Sequence, residues 1–126
     1  MAEPFSLAAR LRSVSHALRG LRGLAAEHNC RVHAVATVLV VMAGVVVGVH
    51  RLEWMLLIAA IGLVWMAEAF NTALERLADA VSPAPHPLIG EAKDIAAAAV
   101  LLAAVTALCL GGWVFVPYLC ASWSGE

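Results

Sequence analysis

Apolar positions fall into four stretches along the chain, and polar breaks separate them. In the first, residues 5–27, Phe5, Ala8, Leu11, Val14, Leu18, Leu21 and Ala25 recur every three to four positions, and Arg10, Arg12, Arg19 and Arg22 fill much of the remainder. That period predicts an amphipathic helix of the kind that lies in a membrane interface. Gly20 and Gly23 mark places where it can bend. Residues 32–49, VHAVATVLVVMAGVVVGV, form the first spanning candidate. At 1.5 Å per residue this run, though short, is long enough for a hydrocarbon core of about 30 Å. His50 to Glu53 reads as a polar turn, and Trp54 opens a second span that continues as helix to Asp79. Ser82-Pro83-Ala84-Pro85-His86-Pro87 then stops it, because three prolines remove backbone donors and clash with a continuing helix. The third span covers residues 95–116 and is expected to end near Pro117. Trp113, Tyr118 and Trp123 supply an aromatic belt there. The pattern predicts one all-α integral-membrane domain over residues 1–126, with three transmembrane helices and an N-terminal interfacial helix.

Composition strengthens this reading. The 126 residues are 63% hydrophobic and 13% charged, against about a quarter charged in soluble domains. The net charge of −1 gives no general field for nucleic acid. Placement of charge is more informative. Arg10, Arg12, Arg19, Arg22, Arg31, Arg76 and Lys93 lie on one side of the three-span arrangement, and Arg51 alone lies on the other. The positive-inside rule therefore puts the N-terminus and the 76–94 segment in the cytoplasm. Cys30, Cys109 and Cys120 match no zinc or disulfide spacing. The N-terminal stretch resembles neither a signal peptide nor a lipidation signal.

One segment does not fit a passive span. AEAFNTALERLADAV, residues 67–81, places Glu68, Asn71, Glu75 and Asp79 in a membrane helix. At 100° per residue they share one narrow face. Carboxylates at membrane depth are costly and usually face a protein interior or a wet cavity, where they work. Glu91, Lys93 and Asp94 form a second polar cluster just before the next apolar run. No phosphate-binding Gly-rich loop of either common type is present. Phosphoryl transfer nevertheless needs only Mg²⁺ held by carboxylates, a cation near the phosphates and a group that orients the attacking hydroxyl. Glu27 and Glu75 can supply the carboxylates if the interfacial helix folds back onto the second span, and Lys93 can supply the cation. Glu68, deepest in the apolar sequence, is a candidate general base. Against this, Asp79 with Glu75 and Arg76 can be a solvated helix end, and Lys93-Asp94 a snorkelling pair at the start of the third helix. His33 and His86 read as hydrogen-bonded polar residues rather than ligands.

Three motifs carry a resemblance that covers nearly the whole chain: EHNCRVH at 27–33, AEAFNTALERLAD at 67–79 and HPLIGEAKDIAAAAVLLAA at 86–104. The chain resembles the small prokaryotic diacylglycerol kinases and the related undecaprenol kinases. The resemblance implies a homotrimer in the bacterial cytoplasmic (inner) membrane, with sites between subunits facing the cytoplasm. It implies ATP, Mg²⁺ and a membrane lipid alcohol as acceptor. Residue by residue, Glu68 matches the proton acceptor and Glu27 and Glu75 match the metal ligands. Lys93, Asp94 and the Ala84-Pro85-His86 loop match nucleotide contacts, and Asn71 matches a supporting polar residue of the substrate site. Arg10 matches an N-terminal arginine contact. Ala97 stands where the enteric diacylglycerol kinases have a lipid-contacting serine. Because the 82–87 hairpin is rich in proline, its nucleotide contacts are expected from backbone atoms. Ala97, EHNCRVH and HPL point toward a polyprenol acceptor, with diacylglycerol as the alternative.

Two other function classes compete. In one, the chain is a non-catalytic membrane subunit whose carboxylate face pairs helices in an oligomer. In the other it is a small transporter with Glu68 as a proton-coupled site, although no internal repeat of the usual transporter kind is present.

Overall fold

The computed structural model describes residues 6–124, and the fold in that range is four helices: α1 (Leu7–Ala25), α2 (His28–Val47), α3 (Arg51–Val81) and α4 (Pro87–Ser124). Three of them, α2, α3 and α4, are long and apolar enough to cross a membrane. Phe5, which opens the predicted first helix, lies outside the described residues. Ser6 caps α1, its hydroxyl accepting the Ala9 N–H. A single bend, residues 26–27, links α1 to α2.

Glycine ends α2. Gly48 adopts φ 74°, a left-handed conformation that costs a residue without a Cβ least. The Gly48 and Val49 N–H groups both return to the Gly44 carbonyl. The expected polar turn is accordingly shorter than His50–Glu53. His50 is the N-cap of α3, and Glu53 already lies in its first turn, where its carboxylate accepts the His50 N–H at 2.7 Å. The dipole of the helix favours a carboxylate there.

The third span differs more from expectation. Its helix begins at Pro87, not near Ile95, so Glu91, Lys93 and Asp94 lie within α4. Proline suits that first position because its missing N–H would be unpaired in any helix start. At the other end α4 does not stop near Pro117 but runs through it to Ser124. Pro117 removes one backbone bond. The remaining backbone bonds of the helix are kept on both sides of it. Tyr118 also departs from the expected belt. Its hydroxyl turns inward and donates to Glu53 Oε2 at 2.6 Å, while Trp113 and Trp123 stay exposed.

Helices α3 and α4 form the principal pair; α2 packs on α3 over a shorter length, and α1 meets α2 at their corner. Buried Val49, Leu57 and Val114, with Val40, Trp54, Phe115 and Tyr118 around them, make a core at the end where α3 begins and α4 finishes. Gly44 belongs to that contact, since a Cβ there would stand 2.8 Å from Trp54 Cη2. Most other large apolar side chains point outward, as lipid-facing residues do. The 31 residues of α3 extend about 46 Å at 1.5 Å per residue, well beyond a core of about 30 Å. Its carboxylate-bearing end is therefore free to sit at the water boundary.

Candidate active site

Three residues near the middle of the α3 polar face are buried: Glu68, Asn71 and Thr72, at 2%, 5% and 7% exposure. One turn further, Glu75 is half-buried, and Asp79 is exposed. The face thus grades from dry to wet along its length. The Asn71 amide donates to Glu75 Oε1 at 3.1 Å, while Asn71 Oδ1 is buried without a hydrogen-bond partner. A buried acceptor left unmade costs about 1–3 kcal/mol, and a ligand hydroxyl would satisfy it.

Helix α2 supplies the other wall. His33 Nε2 lies 3.7 Å from Glu68 Oε2. Thr37, one turn along α2, accepts the Trp65 indole N–H at 3.0 Å and donates to the His33 carbonyl at 2.7 Å. The Trp65 ring meets the imidazole edge-on, centroids 6.5 Å apart. Cys30, three residues before His33, is 1% exposed. These residues were not singled out for chemistry by the sequence pattern. Their signal was Cys30, His33 and Thr37 at i, i+3 and i+7 on one face of a span.

At the α1–α2 corner Arg76 joins the elements. Its Nη2 donates to the Gly23 carbonyl at 3.1 Å and to Glu27 Oε1 at 2.5 Å. Gly23 leaves room for this, because a Cβ would come within 3.2 Å of the guanidinium. The α1–α2 corner carrying Glu27 is thereby tied to the turn of α3 that carries Glu75. This is the fold-back that the metal assignment required. Among the described residues no group of three or more His, Cys, Asp or Glu forms a metal cage. Mg²⁺ does not demand one: it is bound through one or two carboxylates and completes its shell with water and phosphate oxygens. Glu27 and Glu75, hard oxygen donors each holding one oxygen in a protein contact, fit that requirement.

The prolines shape a second feature. Asp79, the 82–87 loop, Ile89, Gly90 and Lys93 line an open cleft of about 540 Å³. Lys93 Nζ reaches back across it to Asp79 Oδ1 at 3.0 Å, and the Ser82 hydroxyl donates to the Ala84 carbonyl. Ala84, Pro85, His86 and Lys93 therefore surround one space. Asp94 and Ala97 are exposed on α4, and Arg10 is exposed on α1. No described hydrogen bond or ion pair links Asp94 to the Glu68 cluster.

Residues 15–115 match the prokaryotic diacylglycerol kinase family. The chain belongs to that family. It is 38% identical over 109 residues to the undecaprenol kinase of Bacillus subtilis (strain 168), covering 86% of this chain and 89% of that one. It is 38% identical over 96 residues to a diacylglycerol kinase of Synechocystis sp., covering 75% of this chain and 55% of the other. Identity to the diacylglycerol kinase of Escherichia coli (strain K12) is 32% over 99 residues, covering 78% and 81%. Family membership makes the chain a lipid kinase of the membrane and decides against the non-catalytic and transporter readings.

Proposed function

We propose that this kinase transfers the γ-phosphate of ATP, with Mg²⁺, to the hydroxyl of a membrane lipid alcohol, with undecaprenol favoured over diacylglycerol. The observation that carries the proposal is the graded α3 face. A buried carboxylate, Glu68, and a buried unpartnered acceptor, Asn71 Oδ1, lie one to two turns from the Glu27–Arg76–Glu75 corner. Such an offset suits a lipid hydroxyl held just inside the bilayer while phosphates stay at the water boundary. The polyprenol preference is supported by the extent of the likeness to the B. subtilis undecaprenol kinase and by the small, exposed Ala97.

In this reading Glu68 takes the proton of the attacking hydroxyl, and Asn71 receives a hydrogen bond from the acceptor lipid while holding Glu75 in place. Glu27 and Glu75 would hold Mg²⁺, which would supply charge neutralisation on the phosphates. Lys93, with the backbone of Ala84, Pro85 and His86, faces the nucleotide across the loop cleft, and Asp94 and Arg10 complete the nucleotide and lipid contacts. Lys93 must exchange Asp79 for a phosphate oxygen when ATP arrives. Transfer of this kind relies on positioning and electrostatics rather than covalent chemistry. A homotrimer in the bacterial inner membrane, cytoplasmic face outward for the nucleotide, would cover the exposed polar residues of α4. α1 would lie along the interface. Purified protein in detergent, given ATP, Mg²⁺ and either undecaprenol or diacylglycerol, should phosphorylate the polyprenol faster. Equal or reversed rates would overturn the acceptor assignment, and no lipid phosphorylation with either would overturn the proposal.

A further inference from the structure

A proton taken up by Glu68 has no direct way out. The residue is 2% exposed, so a carboxyl protonated there stays protonated until another group accepts the proton. The titratable side chains around it include Glu75 on its own face of α3, held by the Asn71 amide, Glu27 at the α1–α2 corner, held by Arg76, and Cys30 and His33 on α2. Cys30 is buried on α2, and an uncharged thiol does not accept a proton. On the α4 side, Ala107 and Gly111 line the small cavity beside His33 and carry no titratable group. Of these titratable groups, His33 makes the described close contact with Glu68: its Nε2 lies 3.7 Å from Glu68 Oε2, and its side chain is 19% exposed. Trp65 holds this histidine in two ways: its ring edge meets the imidazole, and its indole N–H donates to Thr37, whose hydroxyl bonds the His33 backbone carbonyl.

We propose that His33 is a positioning and relay residue for Glu68, resting on the reading of Glu68 as the base. As the lipid oxygen bonds to the γ-phosphorus and the bond to the leaving ADP oxygen breaks, the hydroxyl proton passes to a Glu68 oxygen. It then moves to His33 Nε2. Glu68 returns to carboxylate, and the partly exposed imidazolium releases the proton to water. The relay uses the neutral tautomer carrying its proton on Nδ1. Partners in catalytic proton transfer often stand long before substrate is in place and tighten afterwards, so 3.7 Å is a resting distance.

The test is a cycle of His33→Gln, Glu68→Gln and the double variant, in full-length protein with ATP, Mg²⁺ and the lipid acceptor. Glutamine hydrogen-bonds but cannot relay. His33→Gln should lower kcat roughly tenfold or more, leave KM for ATP unchanged, and make the acid limb of kcat shallower by one proton. The double variant should be no slower than Glu68→Gln alone, because a relay acts only through its base. An unchanged kcat and pH profile, a rise in KM for ATP that accounts for the loss, or full additivity would each overturn the relay. Normal turnover by Glu68→Gln alone would instead overturn the base assignment on which it rests. Should His33→Gln fail to assemble, Thr37→Val decides. It removes the acceptor of Trp65 but keeps the imidazole, so kcat should fall several-fold with the acid limb retained. An unchanged kcat would overturn the clamp and the relay with it.

Discussion

Replacing Glu68 with glutamine changes one oxygen to an amide and almost nothing in volume, which makes it the sharpest probe of the site. The side chain is 2% exposed, so an isosteric change leaves no cavity. The offset of seven positions from Glu68 to Glu75 places the two about 10 Å apart along α3 at 1.5 Å per residue. A change at Glu68 should therefore leave the Arg76–Glu27 corner and the Lys93 cleft as they are. ATP-analogue affinity is expected to stay within about twofold of the parent, since sites about 10 Å apart with no shared partner usually couple by about 0.5 kcal/mol or less. Lipid phosphorylation should fall by about 10²–10⁴, the usual worth of a general base. That corresponds to about 2.7–5.4 kcal/mol of barrier at 1.36 kcal/mol per tenfold. Both quantities are measured on one purified preparation, by radiolabelled lipid phosphate and by nucleotide titration. A purely structural carboxylate makes a different forecast, because glutamine still hydrogen-bonds between helices and turnover persists. Retained turnover would refute the base, and so would loss of nucleotide binding and assembly together with turnover.

Glu75→Gln and Glu27→Gln should each raise the Mg²⁺ needed for half-maximal rate by at least the roughly 10–100-fold that outer-shell changes cost a metal site. Assembly should be kept, since Asn71 can still donate to a glutamine oxygen at 75, and normal turnover of both at limiting Mg²⁺ would remove them as ligands. Gly44→Ala forces a Cβ to 2.8 Å from Trp54 Cη2 and should cost about 1–3 kcal/mol, read as a lower thermal midpoint in detergent. Gly62→Ala meets nothing within 4 Å and should be neutral or stabilising by about 1 kcal/mol, so an equal fall in both would refute the Trp54 contact as the cause. A reporter fused after Glu126 should be active only on the side opposite the cytoplasm, and cytoplasmic activity would refute the three-span orientation.

The sequence by itself determined the elements, the number of apolar helices and the face of α3 that carries the polar residues. All of these follow from a period of 3.6, a length of about 20 apolar residues and a proline cluster, each readable within one segment. Local rules misplaced the ends of α4. Proline at 117 reads as a stop, yet inside a helix it removes only one backbone bond, and the helix continues to Ser124. What no segment could state was which residues meet across segments. Arg76 reads as a helix-end cation, and only the return of α1 onto α3 makes it the clasp on Glu27. Lys93 reads as the start of a span, and the fold of the proline loop turns it onto Asp79. His33 reads as an ordinary polar residue near the start of α2. The packing of α2 on α3 sets it 3.7 Å from a buried carboxylate thirty-five positions away. Helix faces are fixed by covalent geometry and so are written in the chain. The rotation and depth at which two such faces meet are fixed by the side chains of both, and they exist only in the folded protein.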